Sequence, residues 1–139
     1  MLLFNSKDEL LVQKRASTKI TFPSVWANSC CSHPLMLEGG TEESVVDAAI
    51  RKMEQELGIP SSISSEWDYN PVGRFMYSSR WDSEWVEREI DHVLLVRADV
   101  EVAPNPNEIV AHEWVDMSEL RRMVSQEGRW EDEVVAPWF

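Results

Sequence analysis

The chain has 139 residues, enough for one ordinary domain and too few for two. Its 43% hydrophobic and 27% charged residues are the balance of a folded core, which excludes a disordered tail. A net charge of −12 argues against a nucleic-acid partner, and no apolar run approaches membrane-spanning length. The opening residues lack the longer apolar stretch of a signal peptide, so secretion is not expected.

Leu2–Phe4 and Leu10–Gln13 flank the polar run Asn5-Ser6-Lys7-Asp8-Glu9, a pattern that predicts a hairpin. Pro23 then breaks any regular run before the segment Val25–Pro34. Val46, Ala49, Ile50, Met53 and Leu57 share one face at helical spacing, which predicts a helix over Glu42–Leu57. Thr41 is the expected cap, and Gly58 with Pro60 the expected stop. Val72–Tyr77 and Glu89–Arg97 read as strands, Pro104–Asn107 as a loop and His112–Val115 as a short strand. Ser118 is the expected cap of a last helix, Ser118–Val124. Strands outnumber helices in mixed order, so the expected fold is a single α/β (α+β) sandwich with a mixed sheet over 1–139. Large apolar residues at both ends, including Val134–Phe139, lead us to expect further sequence at one or both ends.

Charge is unevenly spread: residues 1–35 sum to +2 and the remainder to −14. An anionic small molecule would find its local attraction near Lys14–Lys19, although lysines there equally suit a solvated strand edge. Cys30 and Cys31 are adjacent, and Cα atoms ~3.8 Å apart are too close for an unstrained disulfide. Two free thiols suit a reducing compartment, the cytosol or an organelle matrix. The run Asn28-Ser29-Cys30-Cys31-Ser32-His33-Pro34 could supply an activated nucleophile, an acid/base pair or metal ligands, or simply two buried thiols beside a histidine. Glu87 and Glu89 leave one face of a strand, and Asp91 continues it. Carboxylates so placed suit a divalent cation, a protonated acid, or a solvated edge of an acidic protein.

The run Arg51-Lys52-Met53-Glu54-Gln55-Glu56-Leu57-Gly58-Ile59 resembles the Nudix signature, with Glu43 matching further upstream. Lys52 and Gln55 stand where that signature has glutamates, and Leu37 where it has a glycine. The segment Phe22-Pro23-Ser24-Val25-Trp26-Ala27-Asn28-Ser29-Cys30-Cys31-Ser32-His33-Pro34-Leu35 resembles the hallmark of the type 1 isopentenyl diphosphate isomerase family in its eukaryotic form. Trp85–Asp91, Pro104–Glu108 and Ala136-Pro137-Trp138-Phe139 match the same family in order, with Ala27 replacing the usual threonine.

This resemblance implies a Nudix-like mixed β-sheet sandwiched between helices and a 1,3-allylic rearrangement of a small diphosphate. Isopentenyl diphosphate is protonated at its terminal alkene carbon and the tertiary cation loses a proton from the carbon nearer the diphosphate, giving dimethylallyl diphosphate. By family match Cys31 and Glu89 are the acid/base groups, Tyr77 stands beside the glutamate, and Trp138 faces the cation. Arg15, Lys19, Lys52 and Trp26 are the implied substrate-binding residues. His33, Glu87, Glu89 and Glu56 are the implied metal ligands, for Mg2+ with Mn2+ or Zn2+ as alternatives. His92 and His112 are expected to be ordinary strand residues. The family's two remaining histidine ligands precede the first hairpin and its C-terminal helix follows the Pro-Trp-Phe run, so truncation at both ends is the expectation. The other expectations are a cytoplasmic monomer, with plastid or peroxisome as alternative compartments. The rival activities are a diphosphate-binding module without turnover and a Nudix diphosphohydrolase.

Overall fold

The computed structural model describes residues 1–139. Its strands are β1 (Leu2–Phe4), β2 (Leu10–Arg15), β3 (Trp26–Ala27), β4 (Asn70–Arg80), β5 (Val86–Arg97) and β6 (Ile109–Val115). Its helices are α1 (Val45–Lys52), which continues as a π-helical turn over Met53–Leu57, α2 (Ser61–Ser64) and α3 (Met117–Val124). A single 3-10 turn, Gly128–Trp130, follows α3. No helix is long and apolar enough to cross a membrane.

The six strands form one mixed sheet in the order β3-β2-β1-β5-β4, with β6 running along β2. Only β1 and β5 pair in parallel, through Leu2↔Leu95, Leu3↔Val96 and Phe4↔Arg97. The other pairings are antiparallel.

Strand alternation places a core on each face. Leu3, Leu11, Cys30 and Val96 pack against Met53, Leu57 and Ile59 from the α1 side. Leu10, Val12 and Val115 pack against Met123 of α3 and Trp130 on the other. Adjacent Leu10, Leu11 and Val12 therefore serve opposite faces, as a period of two requires. Each fully buried Leu- or Met-sized side chain contributes roughly 1.5–3 kcal/mol. The expected mixed sheet between helices is what the chain forms.

Several boundaries differ from expectation. Helix α1 starts later, capped by Ser44 rather than Thr41: Ser44 Oγ accepts the Asp47 amide at 3.1 Å and its hydroxyl donates to Asp47 Oδ2 at 2.6 Å. Thr41 is spent elsewhere, its carbonyl accepting the Leu37 amide at 2.8 Å across the Gly39-Gly40 turn. Asp116, not Ser118, caps α3, its Oδ1 accepting the amides of Ser118 and Glu119 at 2.8 and 2.7 Å. Strands β4 and β5 run well beyond the expected segments, because each supplies the other's backbone partners as far as Arg80↔Val86.

Gly58 ends the π turn as expected. It adopts φ 67°, and a Cβ there would lie 2.4 Å from the Ala103 carbonyl oxygen. The π turn buries Met53, Glu56 and Leu57 together, so a carboxylate enters the cavity wall beside two core residues.

Candidate active site

A cavity of about 1190 Å³ opens between the α1 end, the Asn28–Pro34 segment, the β4–β5 hairpin and the C-terminal Trp138-Phe139. Five arginine or lysine residues and six carboxylates line it, against 13 and 25 in the whole chain. The cavity is thus less acidic than the rest of the molecule, which suits an anionic guest.

On one wall, Cys31 is half-buried and its thiol donates to Asn28 Oδ1 at 3.2 Å. Burial pushes this thiol above its ordinary pKa. The indole N–H of Trp138 donates to the same Asn28 oxygen at 3.1 Å. Trp138 packs edge-on against Phe22 at 5.4 Å and at a tilt against Tyr77 at 5.7 Å. The Arg15 guanidinium lies 5.5 Å from the Trp138 ring centre, held by the carbonyls of Phe22 and Thr21 at 2.9 and 3.0 Å.

On the other wall, the pairings Tyr77↔Glu89 and Ser79↔Glu87 put Tyr77, Glu87 and Glu89 on one face of the hairpin. The Tyr77 hydroxyl lies 2.7 Å from Glu87 Oε2 and 3.3 Å from Glu89 Oε2. Its pKa is raised far above the usual tyrosine range, by burial first and then by the Glu87 carboxylate that accepts its proton. Asp91 is also raised, through burial and then the negative Glu89. His33 Nε2 meets Glu89 Oε1 at 2.8 Å and ties the two walls together.

The His33 loop is pinned from α1. Arg51 makes two bonds to Glu43, at 2.9 and 2.8 Å, and reaches the His33 carbonyl at 3.1 Å. Glu43 in turn accepts the Leu35 amide at 3.0 Å. The Arg51 bonds, chiefly, hold the Glu43 carboxyl below the usual carboxylate range.

The structure therefore brings Cys31, Tyr77, Glu87, Glu89, His33, Trp138, Arg15, Lys19, Lys52 and Glu56 to one cavity. Lys19 is paired with Glu108 at 2.6 Å and Lys52 with Glu56 at 3.0 Å. Trp26 is not brought there: it is buried on the α3 side, edge-on to Trp130 at 5.1 Å, with its indole N–H unpartnered. His92 and His112 lie in β5 and β6, as expected of strand residues.

The expected metal ligands do not form a metal centre in this chain. No three of its His, Cys, Asp and Glu side chains gather into a group that could hold an ion. Glu89 is spent on His33, Glu87 on Tyr77, and Glu56 on Lys52 and Gln13. The residue that sequence reasoning passed over is Asn28. It stands within the quoted motif, but a neutral amide carries no chemistry of its own to draw attention, and only its neighbours reveal its place.

A mixed sheet between helices, carrying an acid/base cavity beside an Arg-Glu pinned helix end, defines a Nudix-type α/β domain. The chain belongs to the NUDIX domain family, which it matches over residues 1–139. It is 42% identical to isopentenyl-diphosphate Delta-isomerase I, chloroplastic, of Arabidopsis thaliana, covering 100% of this chain and 50% of that one. It is 40% identical to isopentenyl-diphosphate Delta-isomerase I of Camptotheca acuminata, again over its full length and 61% of the relative. The chain thus spans about half the length of the Arabidopsis relative. Among solved structures, DR0079 of Deinococcus radiodurans superposes with TM-score 0.67 at 22% identity, over 96% of this chain and 72% of that one. A MutT protein of Methanosarcina mazei superposes with TM-score 0.62 at 18% identity, over 91% and 78%. These two likenesses concern the fold.

Proposed function

We propose that this chain carries the catalytic cavity of an isopentenyl-diphosphate Delta-isomerase, the activity named for its relatives at about 40% identity. The observation that supports it best is a continuous path of contacts. Cys31 and Trp138 share Asn28, the Trp138 and Tyr77 rings touch, and Tyr77 reaches Glu89. The rearrangement needs two acid/base groups, a π surface and an anion site around one small hydrocarbon.

One of Cys31 and Glu89 delivers a proton to the terminal alkene carbon, and the alkene's π electrons form the new C–H bond. The positive charge falls on the tertiary carbon. The other group takes a proton from the carbon nearer the diphosphate, and that C–H pair becomes the new double bond. The Trp138 ring stabilises the intermediate cation by about 2 kcal/mol or more once water is excluded. Arg15, Lys19 and Lys52 bind the diphosphate by exchanging their present partners for its oxygens. No step runs through a metal, because no three of these side chains gather into a group that could hold Mg2+, Mn2+ or Zn2+.

Hydrolysis is the weaker reading, since Lys52 and Gln55 stand where a Nudix hydrolase has carboxylates for its metals. The functional assignment is tested by incubating the protein with isopentenyl diphosphate in D2O and following deuterium into dimethylallyl diphosphate by NMR. Deuterated product that vanishes with Cys31→Ala and with Glu89→Gln supports isomerisation. Bound but unexchanged substrate demotes the chain to a diphosphate-binding module. Released phosphate instead makes it a hydrolase.

A further inference from the structure

The three cations assigned to the diphosphate are not equally free. Arg15 donates only to neutral carbonyls, so no carboxylate cancels its charge. Lys52 is paired with Glu56 at 3.0 Å, and Glu56 also accepts the Gln13 amide at 3.1 Å. The Glu56 side chain is 6% exposed, so water cannot replace a bond taken from it. Lys19 is paired with Glu108 at 2.6 Å, and these two side chains are 24% and 26% exposed. The Glu108 carboxylate accepts no other hydrogen bond. Its backbone is fixed from both sides, the amide donating to the Asn105 carbonyl at 2.9 Å and the carbonyl accepting the Ala16 amide at 2.8 Å. Burial alone would raise its pKa, yet the Lys19 bond and the charges of Lys19, Lys52 and Arg15 hold it below the usual carboxylate range. One carboxylate thus sits in the field of all three cations.

A ligand with one phosphoryl group meets a free Arg15 and two lysines already neutralised. A ligand with two can set one phosphoryl on Arg15 and offer the other to Lys19, whose present partner turns readily to water. We propose that Glu108 is a specificity residue: it occupies the second phosphoryl position on Lys19, gives way to a diphosphate and withholds that lysine from monophosphates. The proposal rests on the isomerase reading only for the diphosphate that the cavity takes, not for the rearrangement that follows. Because the Ala16 and Asn105 bonds keep the Glu108 backbone in place, only its side chain has to move. The carboxylate returns to Lys19 when the diphosphate leaves. Of the two lysine exchanges, the one at Lys19 is therefore the readier. The cavity selects by the number of phosphoryl groups and not by attraction to anions alone.

Calorimetric titration of the full chain with inorganic pyrophosphate and with inorganic phosphate tests this without turnover. In the wild type, pyrophosphate binds at least about tenfold tighter than phosphate. Glu108→Gln frees Lys19 for either ligand: phosphate tightens about tenfold and pyrophosphate about threefold or less, so the preference narrows. Glu101→Gln removes the same charge from an exposed position outside the cavity and leaves the preference unchanged. Equal tightening of both ligands in Glu108→Gln, or a preference that moves as much in Glu101→Gln, overturns the proposal. Weaker pyrophosphate binding in Glu108→Gln overturns it too, because Glu108 would then be holding Lys19 in place for the ligand. Where Glu108→Gln does not fold, Glu108→Asp decides: it keeps the charge but shortens its reach, and the preference narrows by less. An unchanged preference in that variant refutes the proposal, as do equal affinities in the wild type or no pyrophosphate binding. The isomerase assay is read separately. Deuterated product with an unmoved preference keeps the reaction and removes the role of Glu108; a narrowed preference without product keeps that role in a diphosphate-binding module.

Discussion

The two walls of the cavity are built in different ways. The wall that carries Cys31 and Asn28 is continuous with the core, where Leu3, Leu11, Met53, Leu57 and Val96 are fully buried. The wall that carries Tyr77, Glu87 and Glu89 is a long hairpin whose outer residues Met76 and Ile90 are 67% and 62% exposed. Its own ladder sustains it, and few side-chain contacts tie it back: His33 to Glu89, Phe22 to Trp81, Tyr77 to Trp138. Of the two proposed acid/base groups, Cys31 thus sits beside the packed core and Glu89 on an arm with few side-chain ties. Under the proposed isomerase reading, such a division lets a small hydrocarbon enter between them before the two groups face it together.

The largest effects come from removing either partner. Cys31→Ala and Glu89→Gln each lower turnover by about 10³-fold while shifting thermal stability little, read by deuterium incorporation and calorimetry side by side. A comparable loss of stability in either variant would mean that the residue holds the walls rather than serving the reaction. Next comes the contrast in packing. Met53→Ala destabilises the protein by about 2–5 kcal/mol in urea denaturation, whereas Ile90→Ala stays within about 0.5 kcal/mol. Equal costs would erase the distinction between a packed wall and a free one.

His33→Ala has a smaller, local effect. This pair is largely exposed on the histidine side, so global stability changes by less than about 1 kcal/mol. Amide exchange quickens in Glu87–Asp91 and not in β1 or β2, which hydrogen-exchange mass spectrometry resolves. The smallest effect is distant from both walls. Bonds from Arg129, Arg122 and Trp130 hold the Glu119 carboxyl down to about 2. A depressed carboxylate contributes stability above its unfolded pKa and loses it as pH falls toward the folded value. Acid titration from the ordinary glutamate range down to about pH 2 therefore loosens α3 against Trp130. Glu119→Gln flattens that stretch of the stability curve and leaves deuterium incorporation unchanged.

Much of the sheet was legible because its pattern is local. Alternation around Leu10–Val12 and the helical spacing of Ala49, Met53 and Leu57 follow from geometry that each segment carries by itself. The caps were misplaced because a cap depends on which backbone enters the helix. Thr41 offers a suitable hydroxyl, but the Gly39-Gly40 turn directs the chain so that Ser44 arrives at the free amides. The far halves of β4 and β5 escaped notice because Ser78, Ser79 and Arg80 are poor strand formers that depend on a partner strand. Resemblance marked the segments of the cavity well but not their facing. Trp26 and Asn28 are two positions apart in one motif, yet one packs against Trp130 and the other accepts the Cys31 thiol. His33, Glu87 and Glu89 do meet at the cavity, as the resemblance implied for their segments.

The parallel pairing of β1 with β5 has a consequence for how the chain is made. Leu3 is translated well before its central neighbour Val96, which follows only after both early helices and the whole of β4. At ~5–20 residues per second, several seconds pass in which Leu2–Phe4 has only the short β2 contact and the Ser29 hydroxyl to satisfy it. Nascent chains stalled before β5 should therefore engage chaperones through that unpaired strand, and those stalled after it should not.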